Sequence, residues 1–126
     1  MEVLLAAGEH LYLSSGAFAV LQADPEWCGG VSELVRICGL AALFGARVIP
    51  HGHGLHAALH VVASQSPEVC PMLEYLLNVM PGRFCLERNP PAPESGEVAL
   101  PSTPGFGIEL DKDKAASIRH LSASLT

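Results

Sequence analysis

The chain has 126 residues, of which 49% are hydrophobic, and it carries a formal net charge of −6. This composition is too hydrophobic for a disordered chain, and the lack of clustered Lys and Arg argues against a nucleic-acid partner. The most apolar region is interrupted by charges, so we expect neither membrane insertion nor export. The cysteines show no CxxC spacing, and we therefore expect a reduced, cytoplasmic protein.

Two short apolar runs open the chain. Residues 3–7 are closed by Gly8, and residues 17–22 are closed by an Asp-Pro pair. Both runs predict strands that are buried on two faces, as in a parallel sheet. The connection between them is too short for the helix that normally joins parallel strands, so we expect a shortened first β/α unit.

Alternating helices and strands follow. Apolar positions at helical spacing after Val31 predict a helix, and Gly45 is placed to end it. Residues 47–50 predict a strand, Leu55–Ser64 a second helix, and residues 72–77 a further strand. The order β, β, α, β, α, β is typical of a parallel α/β architecture.

The composition changes near the C-terminus, so we divide the chain into residues 1–88 and residues 89–126. The proline-rich stretch at 89–96 predicts an extended surface connection. Residues 100–111 contain several turn-forming residues and predict a non-helical strap. The last residues, after 114, have only weak helical periodicity, and we expect them to fray.

A polar residue lies close behind each of the first three predicted strands, and another lies within the last one: Glu9, Asp24, His51 and Glu74. Because parallel α/β sheets collect their chemistry at the carboxyl ends of strands, these four side chains predict one site. A complete TIM-type (β/α)8 barrel takes about 250 residues, so only half of one would fit here. We therefore expect a fragment, a shortened gene product, or an obligate homo-oligomer whose unpaired edge strands find a partner.

Five sequence strings occur in an order that is known from one enzyme group. They are GEH at 8–10, QADPEWCGG at 22–30, IPHGHG at 49–54, LEY at 73–75 and LPSTPGFGIELD at 100–111. These strings resemble the C-terminal barrel portion of the mandelate racemase/muconate lactonizing enzyme group in the enolase superfamily, with the acid-sugar dehydratases of the rhamnonate type nearest. The resemblance implies a Mg²⁺-dependent hydro-lyase that removes the proton α to a sugar-acid carboxylate and then eliminates water.

The same resemblance implies a catalytic role for three residues. His51 would remove the α-proton, Asp24 would orient the imidazole ring, and Glu74 would hydrogen-bond the enediolate oxygens. These residue types suit the chemistry, because histidine exchanges protons near neutral pH and a carboxylate on its other nitrogen fixes the tautomer.

Three further residues are expected around the substrate. The resemblance implies that Glu9 is a metal ligand and that His10, which follows it, faces the substrate. His53 is expected at the mouth of the site, as another substrate-binding residue. Because one carboxylate holds Mg²⁺ poorly, we expect the chain alone to bind the ion weakly or not at all and to be inactive.

Other interpretations remain open. The chain could be a non-enzymatic, degenerate half-barrel that serves as an oligomerisation or interaction module, and racemase or cycloisomerase chemistry is also compatible with the strings. His56 and His60 are spaced to share a helix face, as in half of a zinc site, but the sequence offers no obvious third ligand.

Overall fold

The computed structural model describes the backbone of residues 6–115 and the side chains of residues 10–115. The described elements are α1 (Ala6–Ser14), β1 (Val20–Leu21), α2 (Val31–Leu43), β2 (Arg47–Val48), α3 (Leu55–Ser64), α4 (Met80–Arg83), β3 (Pro93–Glu94) and β4 (Glu97–Val98). The α/β class that the sequence predicts is confirmed. Within the described part, no helix has the length and apolar character needed to span a membrane.

The strands β1 and β2 pair in parallel, as predicted. Val20 lies opposite Arg47 and Leu21 opposite Val48. Backbone hydrogen bonding continues beyond the two assigned strands, because the His51 amide donates to the Ala23 carbonyl at 3.3 Å. The residues that follow the two strands therefore stay side by side at the same edge of the sheet.

The predicted strand over residues 72–77 is wrong, because no regular strand forms there. The segment still runs beside β2: the Val48 amide donates to the Val69 carbonyl at 2.8 Å, and the Glu74 amide donates to the Pro50 carbonyl at 3.0 Å. Pro50 and Pro71 lie between these two bonds, and neither has an N–H group to donate. The ladder is therefore interrupted, although Glu74 is still held next to the end of β2.

The strand predicted over residues 3–7 requires a correction. Ala6 and Ala7, predicted as the end of a strand, begin helix α1, and Glu9 lies within that helix; residues 3–5 are outside the described part. Alanine is the strongest helix former, and Gly16 supplies a left-handed φ of 67° just after the helix end. A helix thus occupies the place where the sequence predicted a short connection.

The helix α2 begins at Val31, as predicted, and covers one face of the parallel pair. Its side chains at Leu34, Ile37, Cys38 and Ala41 are fully buried. They pack in one cluster with Leu21 and Val48 of the two strands. The helix α3 has the predicted bounds, and its Leu55 and Leu59 pack with Met80 and Phe84 in a second cluster. Residues of these two clusters lie next to the loops that follow β1 and β2, so their packing fixes the positions of these loops.

The C-terminal region is more structured than the sequence predicted. The stretch expected as an extended connection contains an antiparallel hairpin of β3 and β4. Ser95 and Gly96 have φ values of 53° and 85°, the left-handed pair that a tight hairpin turn requires. The strap contains no helix, as predicted, and it pairs with the preceding segment: the Asp111 amide donates to the Leu86 carbonyl at 2.8 Å. The fraying expected after residue 114 concerns residues 115–126, of which 116–126 lie outside the described part.

We expect Gly39→Ala to stabilise the protein by about 0.5–1 kcal/mol, because Gly39 lies inside α2 and alanine loses less backbone entropy there. A Cβ atom at this position would meet no atom within 4 Å. Gly45→Ala is the matched control, because Gly45 has equal space but a φ of 66° that disfavours alanine. Urea unfolding should show opposite signs for the two variants, and equal effects would contradict the assignment of the helix end.

Candidate active site

The central feature of the site is a pair formed by Asp24 and His51, which follow β1 and β2. The Nδ1 atom of His51 lies 3.4 Å from Oδ2 of Asp24. The Asp24 side chain is 1% exposed and the His51 side chain 20% exposed. The distance is long for a hydrogen bond, so the pair is placed side by side without being tightly clamped. The structure thus brings these two predicted residues together.

Backbone N–H groups hold the buried Asp24 carboxylate. Its Oδ1 atom accepts a hydrogen bond from the Glu26 amide at 2.8 Å, and its Oδ2 atom accepts one from the Gly54 amide at 3.0 Å. Hydrogen bonds to a charged acceptor are the strong ones, and a buried carboxylate needs them. Asp24 therefore initiates the turn after β1 and at the same time presents an oriented oxygen to His51.

Glu74 lies on the other side of the imidazole ring. Its Oε2 atom is 3.5 Å from Nε2 of His51 and accepts a hydrogen bond from the Gly52 amide at 3.3 Å. The Glu74 side chain is 36% exposed, so this side of the ring faces solvent. The ring of His51 therefore stands between a buried carboxylate on Nδ1 and an accessible one on Nε2.

Two glycines allow this close packing. A Cβ atom on Gly54 would lie 2.5 Å from Cγ of Pro25 and 3.0 Å from Oδ1 of Asp24. A Cβ atom on Gly52 would lie 2.8 Å from the Glu74 carbonyl oxygen. The GHG string after His51 is thus explained by the approach of its backbone to both carboxylate residues.

Aromatic rings cover the His51 imidazole. The ring centroid of His53 is 5.1 Å from that of His51 in a stacked arrangement, and the Trp27 centroid is 5.3 Å from it. His53 therefore lies at the site, as predicted, whereas the substrate role expected for it stays a prediction. The contact of Trp27 with His51 was not predicted from the sequence. The position of Trp27 in the turn directly after Asp24 is the signal that could have indicated it.

Arg83 of α4 is a second residue that the sequence did not reveal. Its guanidinium donates to Oε1 of Glu26 at 2.6 Å and to Nδ1 of His53 at 3.2 Å. Because a guanidinium can only donate, Nδ1 of His53 must carry a lone pair, which fixes its tautomer. Beside these groups lies an open cavity of about 340 Å³ that is lined in part by Glu26, His53, His56, Arg83 and Glu87.

His10 is not brought beside His51. The ring of His10 packs edge-on against Phe44 at 5.7 Å. Phe44 precedes β2 while His51 follows it, and the substrate role expected for His10 stays a prediction. The physical reason for this placement is that His10 lies in helix α1, which begins at Ala6. Glu9 lies on the same helix, and its side chain is outside the described part, so its metal role stays a prediction.

The described side chains do not form a metal centre by themselves. Among residues 10–115, no group of three or more His, Cys, Asp or Glu is arranged to hold an ion. The oxygens of Asp24 already face N–H donors, which leaves them poorly placed for Mg²⁺. His56 and His60 do not act together either: Nε2 of His56 contacts Oε1 of Glu87 at 2.9 Å, whereas the ring of His60 packs near Phe106.

Comparison with known proteins identifies a family. The profile of the enolase C-terminal domain-like family matches residues 5–114. An L-rhamnonate dehydratase from Saccharopolyspora erythraea is 34% identical over 125 residues, covering 88% of this chain and 31% of the relative. A D-galactarolactone cycloisomerase from Agrobacterium fabrum is 36% identical over 117 residues, covering 85% and 31% respectively. The chain thus spans about three tenths of the length of these relatives.

Solved structures show the same fold. The crystal structure of a mandelate racemase/muconate lactonizing enzyme from Sulfitobacter sp. superposes with a TM-score of 0.76 at 28% identity, over 88% of this chain and 28% of that one. A mandelate racemase/muconate lactonizing enzyme from a marine actinobacterium, solved in complex with magnesium, gives a TM-score of 0.73 at 24% identity, over 88% and 31%.

We expect Gly54→Ala to destabilise the protein by about 1–3 kcal/mol, because the added methyl group forces Pro25 and the Asp24 carboxylate to move. Displacement of Asp24 should also change the NMR signals of the His51 ring. Gly82→Ala is the matched control, since a Cβ atom there meets nothing within 4 Å. Urea unfolding and ¹H–¹⁵N spectra of the imidazoles measure both effects. If the Gly54 variant behaves like the Gly82 variant, the packing described around Asp24 is incorrect.

Proposed function

Because this chain belongs to the enolase C-terminal domain-like family, we propose that it is the proton-transfer part of an acid-sugar dehydratase barrel. The resemblance to the mandelate racemase/muconate lactonizing enzyme group that the sequence strings indicated is confirmed by this match and by the relatives. The incomplete barrel is part of the proposal: these residues would supply the last strands of a barrel and would need its other strands to complete the site.

The observation that carries the proposal is the placement of the His51 ring beside the Asp24 carboxylate. A carboxylate that faces Nδ1 keeps the proton of the neutral ring on that nitrogen, which leaves the lone pair on Nε2. Nε2 lies on the more accessible side of the ring and would take the proton from the carbon α to the substrate carboxylate. The positive charge that the ring then gains is balanced by the Asp24 carboxylate.

The second half of the reaction uses the same proton. After α-proton removal, Nε2 of His51 carries the proton that a departing β-hydroxyl needs in order to leave as water. Glu74 lies next to Nε2 and would face the enediolate oxygens. A carboxyl group donates a hydrogen bond to such an oxygen only when it is protonated, so we assign Glu74 to the acid form during that step.

Mg²⁺ enters the proposal as the cofactor expected for this family, which would polarise the substrate carboxylate when bound. The described residues do not fit it by themselves, and Glu9 is the ligand that the resemblance implies from this chain. We therefore propose that residues 1–126 alone bind the ion weakly or not at all, and that turnover on a sugar acid requires a complete barrel.

A chimera tests the proposal. Residues 5–114 would replace the matching segment of the S. erythraea L-rhamnonate dehydratase, and L-rhamnonate would be incubated with Mg²⁺ in heavy water. We expect deuterium at the α-carbon of recovered L-rhamnonate and formation of the 2-keto-3-deoxy product, both detected by mass spectrometry. His51→Asn should lower the exchange rate by a factor on the order of 10²–10⁴, because the general base is lost.

The control for this experiment is His60→Asn, which removes a histidine outside the site and should leave exchange unchanged. A folded chimera that binds L-rhamnonate but shows no exchange would contradict the proposal. Equal rates for the two histidine variants would contradict the role of His51.

A second candidate function is an interaction module that pairs with another chain, and exposed apolar side chains favour it. Leu43 is 82% exposed and Leu11 is 69% exposed, on helices α2 and α1, which contact each other through Phe44 and His10. Two leucines that are largely exposed on contacting helices are compatible with a surface that is covered in an assembly. The occupant we propose is a second copy of this chain.

Sedimentation of the full chain tests this second candidate. We expect a dimer that dissociates when Leu11→Ser and Leu43→Ser are combined, because the apolar area of the interface is lost. Leu77→Ser removes a leucine that is also 69% exposed but lies elsewhere, and it should leave the dimer intact. A monomeric wild-type chain would exclude the homodimer.

A further inference from the structure

Two buried cysteines that the proposed function does not use lie side by side. The Sγ atoms of Cys38, in the middle of α2, and Cys70, at the start of the segment beside β2, are 3.5 Å apart. The two residues are 0% and 3% exposed. Cys28 belongs to the same buried cluster, where its thiol donates to the Gly30 carbonyl at 3.8 Å, whereas Cys85 is exposed.

The contact makes the two thiols chemically unequal. The hydrogen bond from Cys38 lowers the pKa of Cys70 below its ordinary value. The same contact, together with burial, raises the pKa of Cys38, which keeps its proton. Because the thiolate is the nucleophilic form, Cys70 is the sulfur that would react first with an oxidant.

Access also favours Cys70. It lies two positions after residues 66–68, which are exposed at the protein surface, whereas Cys38 is enclosed by the rest of α2 and its core neighbours. Local opening of this segment would expose Cys70 while leaving the helix in place. The pair therefore combines an outer sulfur that ionises, on Cys70, with an inner sulfur in contact with it, on Cys38.

We propose that Cys38 and Cys70 are a redox modification site, at which a peroxide converts the two thiols into a reversible disulfide. The Cys70 thiolate attacks the O–O bond, which breaks to give a sulfenic acid and a hydroxide that becomes water with the proton Cys70 has lost. The Cys38 sulfur then attacks the Cys70 sulfur, the S–O bond breaks, and a second water leaves with the Cys38 proton. The two thiols lose two electrons, and the peroxide is reduced to two waters.

The disulfide would have a definite structural consequence. The sulfurs must approach each other from 3.5 Å to about 2.05 Å, a change that side-chain rotation can supply. The bond would tie α2 to the segment that ends at Glu74, 32 positions along the chain from Cys38 to Cys70. Closing such a loop restricts the unfolded chain, so the oxidised protein should unfold at a higher temperature than the reduced one.

The experiment uses the full chain, treated with hydrogen peroxide and then denatured in the presence of a thiol-alkylating reagent. We expect two cysteines to escape alkylation, peptide mapping to join Cys38 to Cys70, and dithiothreitol to restore both thiols. The oxidised protein should show a melting temperature higher by roughly 5–15 °C. The rate of oxidation should rise with pH, because the thiolate fraction of Cys70 rises.

Matched variants separate this pair from the other cysteines. Cys85→Ser and Cys28→Ala should retain the protection and the shift in melting temperature, whereas Cys38→Ala and Cys70→Ala should lose both. The proposal is overturned if all thiols of the wild-type chain remain reactive, if mapping joins either cysteine to Cys28 or Cys85, or if Cys70 is oxidised to a sulfinic acid without a link. Mapping of the wild-type chain decides the question even if a variant fails to fold.

Discussion

The rest of the structure depends on the parallel pairing of β1 with β2. The pairing is short, but hydrogen bonds continue past both strands to the contact between the His51 amide and the Ala23 carbonyl. Because the two strands run in the same direction, the residues that follow them leave the sheet side by side at one edge. Asp24 and His51 become neighbours for that reason, although they are 27 positions apart in sequence. Helix α2, packed on the two strands, keeps that edge in place.

Burial and close backbone approach convert this proximity into a defined geometry. The Asp24 carboxylate is removed from solvent and is oriented by the amides of Glu26 and Gly54. Gly52 and Gly54 let the loop after His51 pass close to Glu74 and Asp24. The ring of His51 is thus held between two carboxylates. The Asp24 carboxylate is buried and held by backbone amides, whereas the Glu74 carboxylate faces solvent. The chemistry we propose uses this difference between the two sides of one ring.

The sequence predicted the parts of the fold and site whose determinants are local or follow from strand direction. Strand β1, both long helices, the placement of Asp24, His51 and Glu74, and the position of His53 belong to this group. It failed for α1, because a short apolar run is compatible with a strand or a helix, and the position of His10 against Phe44 follows from that helix. It also failed for residues 72–77, where Pro50 and Pro71 remove ladder hydrogen bonds, and for Arg83, whose partners Glu26 and His53 are distant in sequence.

The central claim is that Asp24 orients the His51 ring so that Nε2 carries the lone pair. Long-range ¹H–¹⁵N couplings of the histidine rings, measured at a pH where His51 is neutral, report directly which nitrogen is protonated. We expect the Nδ1–H tautomer for His51 in the wild-type chain and its loss in Asp24→Ala. An Nε2–H tautomer in the wild-type chain, or a tautomer that does not respond to removal of Asp24, would contradict this orientation of the ring by Asp24.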